Sequence, residues 1–268
     1  MTKRIAIALP KGGVGKTTTA INLAASLALA EKKTLLIDFD PAGTCTASMG
    51  YKSYELKGDI FQVFSFTRSI ESVIHKTELP NLDFIPCTVT SGEIEDRVAR
   101  ITKNIYLFDN ILNLDALMPY DFILIDCPPY LRGLTTIALS ASNSVLLPIK
   151  AGHFSIMALL KINSHIKWVK ENLNRKLEIE GILYTMYEPN TKAWDLTEKA
   201  VNKYFENHRL GTRIPKNISI TEAEFYRKPS VLIDANSKGS IAYVKLAKEI
   251  IEKLNKPVDF QDYIHNVN

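Results

Sequence analysis

No apolar run reaches 18 residues in this 268-residue chain, so the sequence offers no segment that would cross a bilayer as a helix. Cysteine is scarce. Cys45, Cys87 and Cys127 are odd in number and far apart, which argues against a disulfide framework and fits a reducing compartment. There is no CxxC pair and no Cys/His cluster, the usual marks of a structural metal site. A glycine-rich stretch begins at residue 11, which leaves no room for a cleavable leader, and a cytoplasmic protein is expected. Hydrophobic and charged residues make up 46% and 23% of the chain, ordinary values for a globular protein. The length suits one large α/β domain over residues 1–268, with 255–268 as a tail.

Charge is mild but uneven. Between Lys161 and Lys228 there are 13 Lys and Arg against 9 Asp and Glu, which accounts for the whole net charge of +4. A cationic C-terminal half is compatible with phosphate backbones, and equally with a solvated helical surface.

What the sequence does have is the stretch Lys11-Gly12-Gly13-Val14-Gly15-Lys16-Thr17-Thr18. It follows the apolar run Ile5–Leu9 and opens into a helical pattern with Ile21, Leu23, Ala24, Leu27 and Ala28 on one side. Strand, glycine loop and helix together are the context of a phosphate-binding loop. The glycines let successive N–H groups turn inward at the positive end of the helix, forming an anion nest. Lys16 supplies a mobile charge for the outer phosphates, and Thr17 offers a hydroxyl to Mg²⁺, an ion that takes few protein ligands. Pro10 stands where the general spacing of such loops has glycine. Lys11 is poorly placed for the phosphates of its own subunit and better placed to reach across a dimer.

Two further runs lead acids to a sheet edge. Leu35-Leu36-Ile37-Asp38-Phe39-Asp40 and Phe122-Ile123-Leu124-Ile125-Asp126-Cys127-Pro128-Pro129 each read as a buried parallel strand ending in carboxylate. The C-terminal edge of an open α/β sheet is where ligands bind. An aspartate such as Asp126, downstream of a phosphate loop, holds a water on Mg²⁺, and Pro128-Pro129 turns the next segment toward the outer phosphate as a switch element. Further strands are expected at Leu82–Pro86, Ser144–Ile149 and Ile179–Met186. Helices are expected between Ser91 and Leu117, from Gly133 to Ser142, from Ala158 to Leu173 and from Ile241 to Leu254.

The text KGGVGKTT resembles the deviant Walker motif of the ParA/MinD family of ATPases, and the resemblance extends over essentially the whole chain. LLIDFDPAG is similar to the family's second motif and DCPP to its Walker B and switch II. TMYEPNT, RIPKN, KP and DANSKGSIAY are similar to its later stretches. The resemblance implies a P-loop fold with a mostly parallel twisted sheet and helices on both faces. It implies ATP and Mg²⁺ as ligands and an ATP-dependent sandwich homodimer in which Lys11 enters the partner's site. Lys11, Lys16 and Asp40 then carry catalysis, Asp40 by orienting the attacking water. Thr17, Asp38 and Asp126 serve the magnesium shell, and Met186, Pro215 and Asn217 border the adenine. The family's non-specific DNA contacts would fall on Lys192, Lys216, Arg227, Lys228 and Lys238. Two basic positions of the family are Asn190 and Ser219 here, with Lys192 two residues beyond the first. A ParB-like adaptor would stimulate turnover of a cytoplasmic, nucleoid-associated protein that moves plasmid, chromosome or protein cargo. No DNA-reading extension before the loop is expected.

Three other readings are weighed against it. A MinD-like membrane-positioning ATPase needs a basic amphipathic C-terminal helix, whereas NKPVDFQDYIHNVN has one Lys, two Asp and a break at Pro257. A reductase sharing an iron–sulfur cluster across a dimer needs suitably placed cysteines, for which Cys45 and Cys127 are the candidates. A nucleotide-gated positioning protein would act without touching DNA.

Overall fold

The computed structural model describes residues 2–87 and 104–255. Eight strands form one sheet: β1 (Lys3–Ile7), β2 (Thr34–Asp38), β3 (His75–Lys76), β4 (Leu82–Ile85), β5 (Phe122–Asp126), β6 (Ser144–Ile149), β7 (Glu178–Tyr187) and β8 (Arg209–Pro215). Their order is β3-β4-β2-β5-β1-β6-β7-β8, and every pair is parallel except β3 with β4. The helices are α1 (Lys16–Leu29), α2 (Thr44–Ser48), α3 (Ile60–Phe64), α4 (Leu107–Leu112) and α5 (Leu134–Ser140). They continue with α6 (His153–Asn172), α7 (Lys192–Phe205), α8 (Ile218–Tyr226), α9 (Ser230–Ile233) and α10 (Lys238–Asn255). This is the expected α/β architecture.

The central strands are continuous apolar runs because both their faces are covered. Alternate residues separate into two cores. Ile5, Ile7, Leu36, Leu124 and Leu146 pack with α1 and α10 on one face. Ala6, Leu35, Ile37, Ile123, Ile125 and Val145 pack with α5 and α6 on the other. Fully burying one such Leu or Ile contributes about 1.5–3 kcal/mol, so register is fixed strongly: a one-residue slip would exchange the two cores. That register pairs Asp38 with Asp126 across β2 and β5 at the C-terminal edge.

Helices α6, α7 and α10 depart from the sequence reading. Helix α6 starts at His153, five residues before the expected Ala158, because Gly152 at φ 129° turns the chain and its carbonyl accepts from Ser155 N at 3.0 Å. Exposed Phe154 and Met157 blur the apolar period over that first turn. Helix α7 is additional to the expected elements. Thr191 caps it through the Trp194 amide, and Trp194, Thr197, Val201 and Phe205 bury one stripe. Helix α10 opens at Lys238 rather than Ile241. The part of the expected helical region at 91–103, and the tail at 256–268, lie outside the described residues.

Candidate nucleotide-binding site

Three segments meet at the C-terminal edge of β1, β2 and β5. The loop after β1 needs left-handed backbone at Gly13 (φ 65°) and Gly15 (φ 81°), conformations that cost residues with a Cβ. Gly15 is also the N-cap of α1, where no side chain caps the first-turn amides, so those N–H groups are left to an anion. Thr185, buried on β7, ties the loop down: its hydroxyl lies 2.9 Å from the Val14 carbonyl and 3.0 Å from that of Ile149. Nothing local in the sequence marks Thr185 for this part.

Lys16 is buried and donates to the Lys11 carbonyl at 3.1 Å. Burial pushes its ammonium below the ordinary lysine range, while Asp126, Cys127 and Asp40 pull it back up. The Lys11 ammonium lies 5.4 Å from the centroid of the exposed Phe154 ring. A further cation, Lys150 at the end of β6, lies 3.9 Å from where a Cβ on Gly13 would sit. It follows no loop motif in sequence and is brought there by sheet order.

The acids divide by surroundings. Thr17 Oγ1 donates to Asp126 Oδ2 at 2.7 Å, and Asp126 Oδ1 is buried with no hydrogen-bond partner. Burial, then Asp38, pushes the Asp126 carboxyl well above the usual carboxylate range. Asp38 Oδ2 accepts from the Thr46 amide at 2.8 Å and the Thr46 hydroxyl at 2.7 Å, and Oδ1 accepts from the Asp40 amide at 3.2 Å. Burial outweighs these bonds and raises its pKa to about 7. Asp40 is partly exposed and accepts from the Ala42 amide at 3.0 Å.

Asp126 and Asp40 thus act on the buried Lys16 ammonium, Asp38 pairs with Asp126 across the strands, and the buried Asp126 Oδ1 has no donor. That deficit of positive charge beside the Thr17 hydroxyl fits a hard divalent cation such as Mg²⁺.

Beside the loop lies a cavity of about 210 Å³, lined among others by Gly15, Thr18, Met186, Pro215, Asn217 and Glu224. Met186 holds φ 50°, unusual for a residue with a side chain, and Asn217 Oδ1 is buried without a partner. An unmet acceptor on an apolar wall fits an amino group on a flat ring. The residues expected around phosphates, metal and base therefore converge on one edge of the molecule.

The expected DNA positions are more dispersed. Lys192 and Lys238 are exposed at the starts of α7 and α10, and Arg227 is exposed in left-handed backbone after α8. Lys216 faces Glu188 at 3.3 Å and Lys228 faces Glu78 at 2.7 Å. Ser219 donates to Asp234. Cys45 and Cys127 are both buried, so neither is presented toward a second subunit for a shared cluster. No helix among the described residues is long and apolar enough to cross a membrane.

Comparison with known proteins finds relatives over nearly the whole chain. Residues 2–179 match the AAA domain family. The chain is 39% identical over 251 residues to the chromosome partitioning protein ParA of Myxococcus xanthus, spanning 93% of this chain and 88% of that one. It is 38% identical over 253 residues to the sporulation initiation inhibitor protein Soj of Bacillus subtilis, spanning 93% and 98%. Among solved structures, cobyrinic acid a,c-diamide synthase of Mycobacterium smegmatis with bound ADP and magnesium superposes with a TM-score of 0.81. That match has 25% identity and covers 96% of each chain.

Proposed function

This chain belongs to the family of ParA and Soj partition ATPases, within the AAA domain family, and from that premise we propose that it is a nucleotide-driven positioning device. It is an ATPase that uses ATP with Mg²⁺. The observation that carries the site assignment is the orphaned Oδ1 of Asp126, the carboxylate whose other oxygen accepts from the Thr17 hydroxyl. Loop amides and Lys16 grip the phosphates, Thr17 and Asp126 with Asp38 behind them hold the metal, and Met186, Pro215 and Asn217 border the base. Bound Mg²⁺ supplies charge neutralisation at the phosphates. Asp40, partly exposed at the rim, orients the attacking water.

Two subunits close face to face over the nucleotides, each Lys11 completing the other's site. Support comes from Lys11 itself: its side chain rests on exposed Phe154, while the Lys16 ammonium lies against the loop. Catalysis is then positioning and charge neutralisation, and turnover waits on a ParB-like adaptor. The dimer holds DNA without sequence preference, through Lys192, Arg227 and Lys238, which have no ion-pair partner among the described residues, and through Lys216 and Lys228. The exposed pairs these two make with Glu188 and Glu78 are weak enough to exchange for phosphate. The cytoplasm, on the nucleoid, is the matching location.

DNA co-sedimentation with and without ATP, at two salt concentrations, tests the reading. Wild-type protein should pellet with random DNA only with ATP and less at the higher salt, and Lys216→Glu should weaken retention. Retention that ignores ATP would remove the DNA step and leave the ATPase intact.

A further inference from the structure

Glu224 sits in the last turn of α8, where a carboxylate faces the negative end of the helix dipole and gains nothing from it. Lys228, four residues on, is the cation that would ordinarily offset it, but that ammonium is 2.7 Å from Glu78. Glu224 makes no ion pair among the described residues. Its partner is Thr18, whose hydroxyl donates to Glu224 Oε1 at 3.2 Å. The pair lines the same 210 Å³ cavity as Met186, Pro215 and Asn217, and also lines a second cavity of about 130 Å³.

This location has a chemical consequence, which rests on the nucleotide placement proposed above. With phosphates in the glycine loop and the base against Met186, Pro215 and Asn217, the sugar spans the interval between Gly15–Thr18 and the base wall. Glu224 borders that interval. A carboxylate repels phosphate, so the ligand group it suits is a neutral donor, and a sugar hydroxyl is the donor available there. Carboxylates recognise ribose hydroxyls in the same way in dinucleotide-binding folds.

We propose that Glu224 accepts hydrogen bonds from the ribose hydroxyls and makes the site select ribonucleotides over deoxyribonucleotides. A site built to hydrogen-bond a hydroxyl rejects the analogue that lacks it, because the acceptor is left unmet. Thr18 holds the carboxylate in place before the sugar arrives, which lowers the cost of ordering it.

The test is competition binding of ATP, 2′-deoxy-ATP and 3′-deoxy-ATP to wild type, Glu224→Ala and Glu224→Gln, all with Mg²⁺. Wild type should prefer ATP over at least one deoxy analogue by about tenfold or more, the discrimination a hydrogen bond to a charged group gives. Glu224→Ala should bind ATP and both analogues within about threefold of each other, losing that bond. Glu224→Gln, which keeps a carbonyl acceptor, should retain part of the preference. Equal binding of all three nucleotides by wild type overturns the proposal and leaves the nucleotide site standing. An undiminished preference in Glu224→Ala also overturns it. Failure of wild type to bind any of them overturns the nucleotide placement as well.

Discussion

The Thr17 hydroxyl donates to Asp126 Oδ2 at 2.7 Å, joining the first turn of α1 to the last residue of β5. The contact uses one oxygen of a fully buried carboxylate and leaves the other, Oδ1, without a donor. A buried carboxylate in that state prefers its proton until a cation replaces it.

Asp126→Asn should therefore separate metal from nucleotide. The tightening of ATP binding by Mg²⁺ over a chelator, read by titration calorimetry, should shrink by about tenfold or more, the loss of one charge-assisted contact. Thr17→Val should shift it the same way. Undiminished Mg²⁺ dependence in both variants would remove these residues from the metal site.

Asp38 gives a pH signature in metal-free protein. Burial raises its folded-state pKa to about 7, above the ordinary aspartate value, against the bonds from Thr46 and Asp40. The folded state then binds more protons than the unfolded one between the two values, so the contribution to stability is largest at low pH and is lost as pH rises through 7. In chelator, the melting temperature of wild type should fall relative to Asp38→Asn between pH 5 and pH 8. Parallel profiles for the two proteins would mean that Asp38 is already ionised well below neutrality.

Thr185→Val keeps the shape of a buried side chain and removes the hydroxyl that bridges Val14 and Ile149. Losing it leaves carbonyls under-satisfied, at a cost of about 1–3 kcal/mol in urea unfolding. Because one of them belongs to the phosphate loop, ATP affinity should fall as well. A variant destabilised with unchanged ATP affinity would make Thr185 a packing residue alone.

The phosphate loop and the strands ending at Asp38 and Asp126 were legible in the sequence because their signals are local. Each is a continuous apolar run or a fixed glycine spacing within ten residues. Other parts of the site are assembled from distance. Lys150 reaches Gly13 through the pairing of β1 with β6, Thr185 reaches Val14 from β7, and Glu224 reaches Thr18 from α8. No periodicity announces such contacts. Helix α7 is a different case, since Trp194, Thr197, Val201 and Phe205 recur at helical spacing behind the Thr191 cap, a local signal legible in the sequence but absent from the expected elements.

Lys11 is the residue on which the proposed mechanism turns, and sedimentation velocity in saturating Mg-ATP examines it directly. Asp40→Ala protein, unable to orient the attacking water, should run as a dimer. The same protein carrying Lys11→Ala should bind ATP and remain monomeric. A dimer that forms as well without Lys11, or Asp40→Ala protein that stays monomeric with ATP bound, would contradict the account.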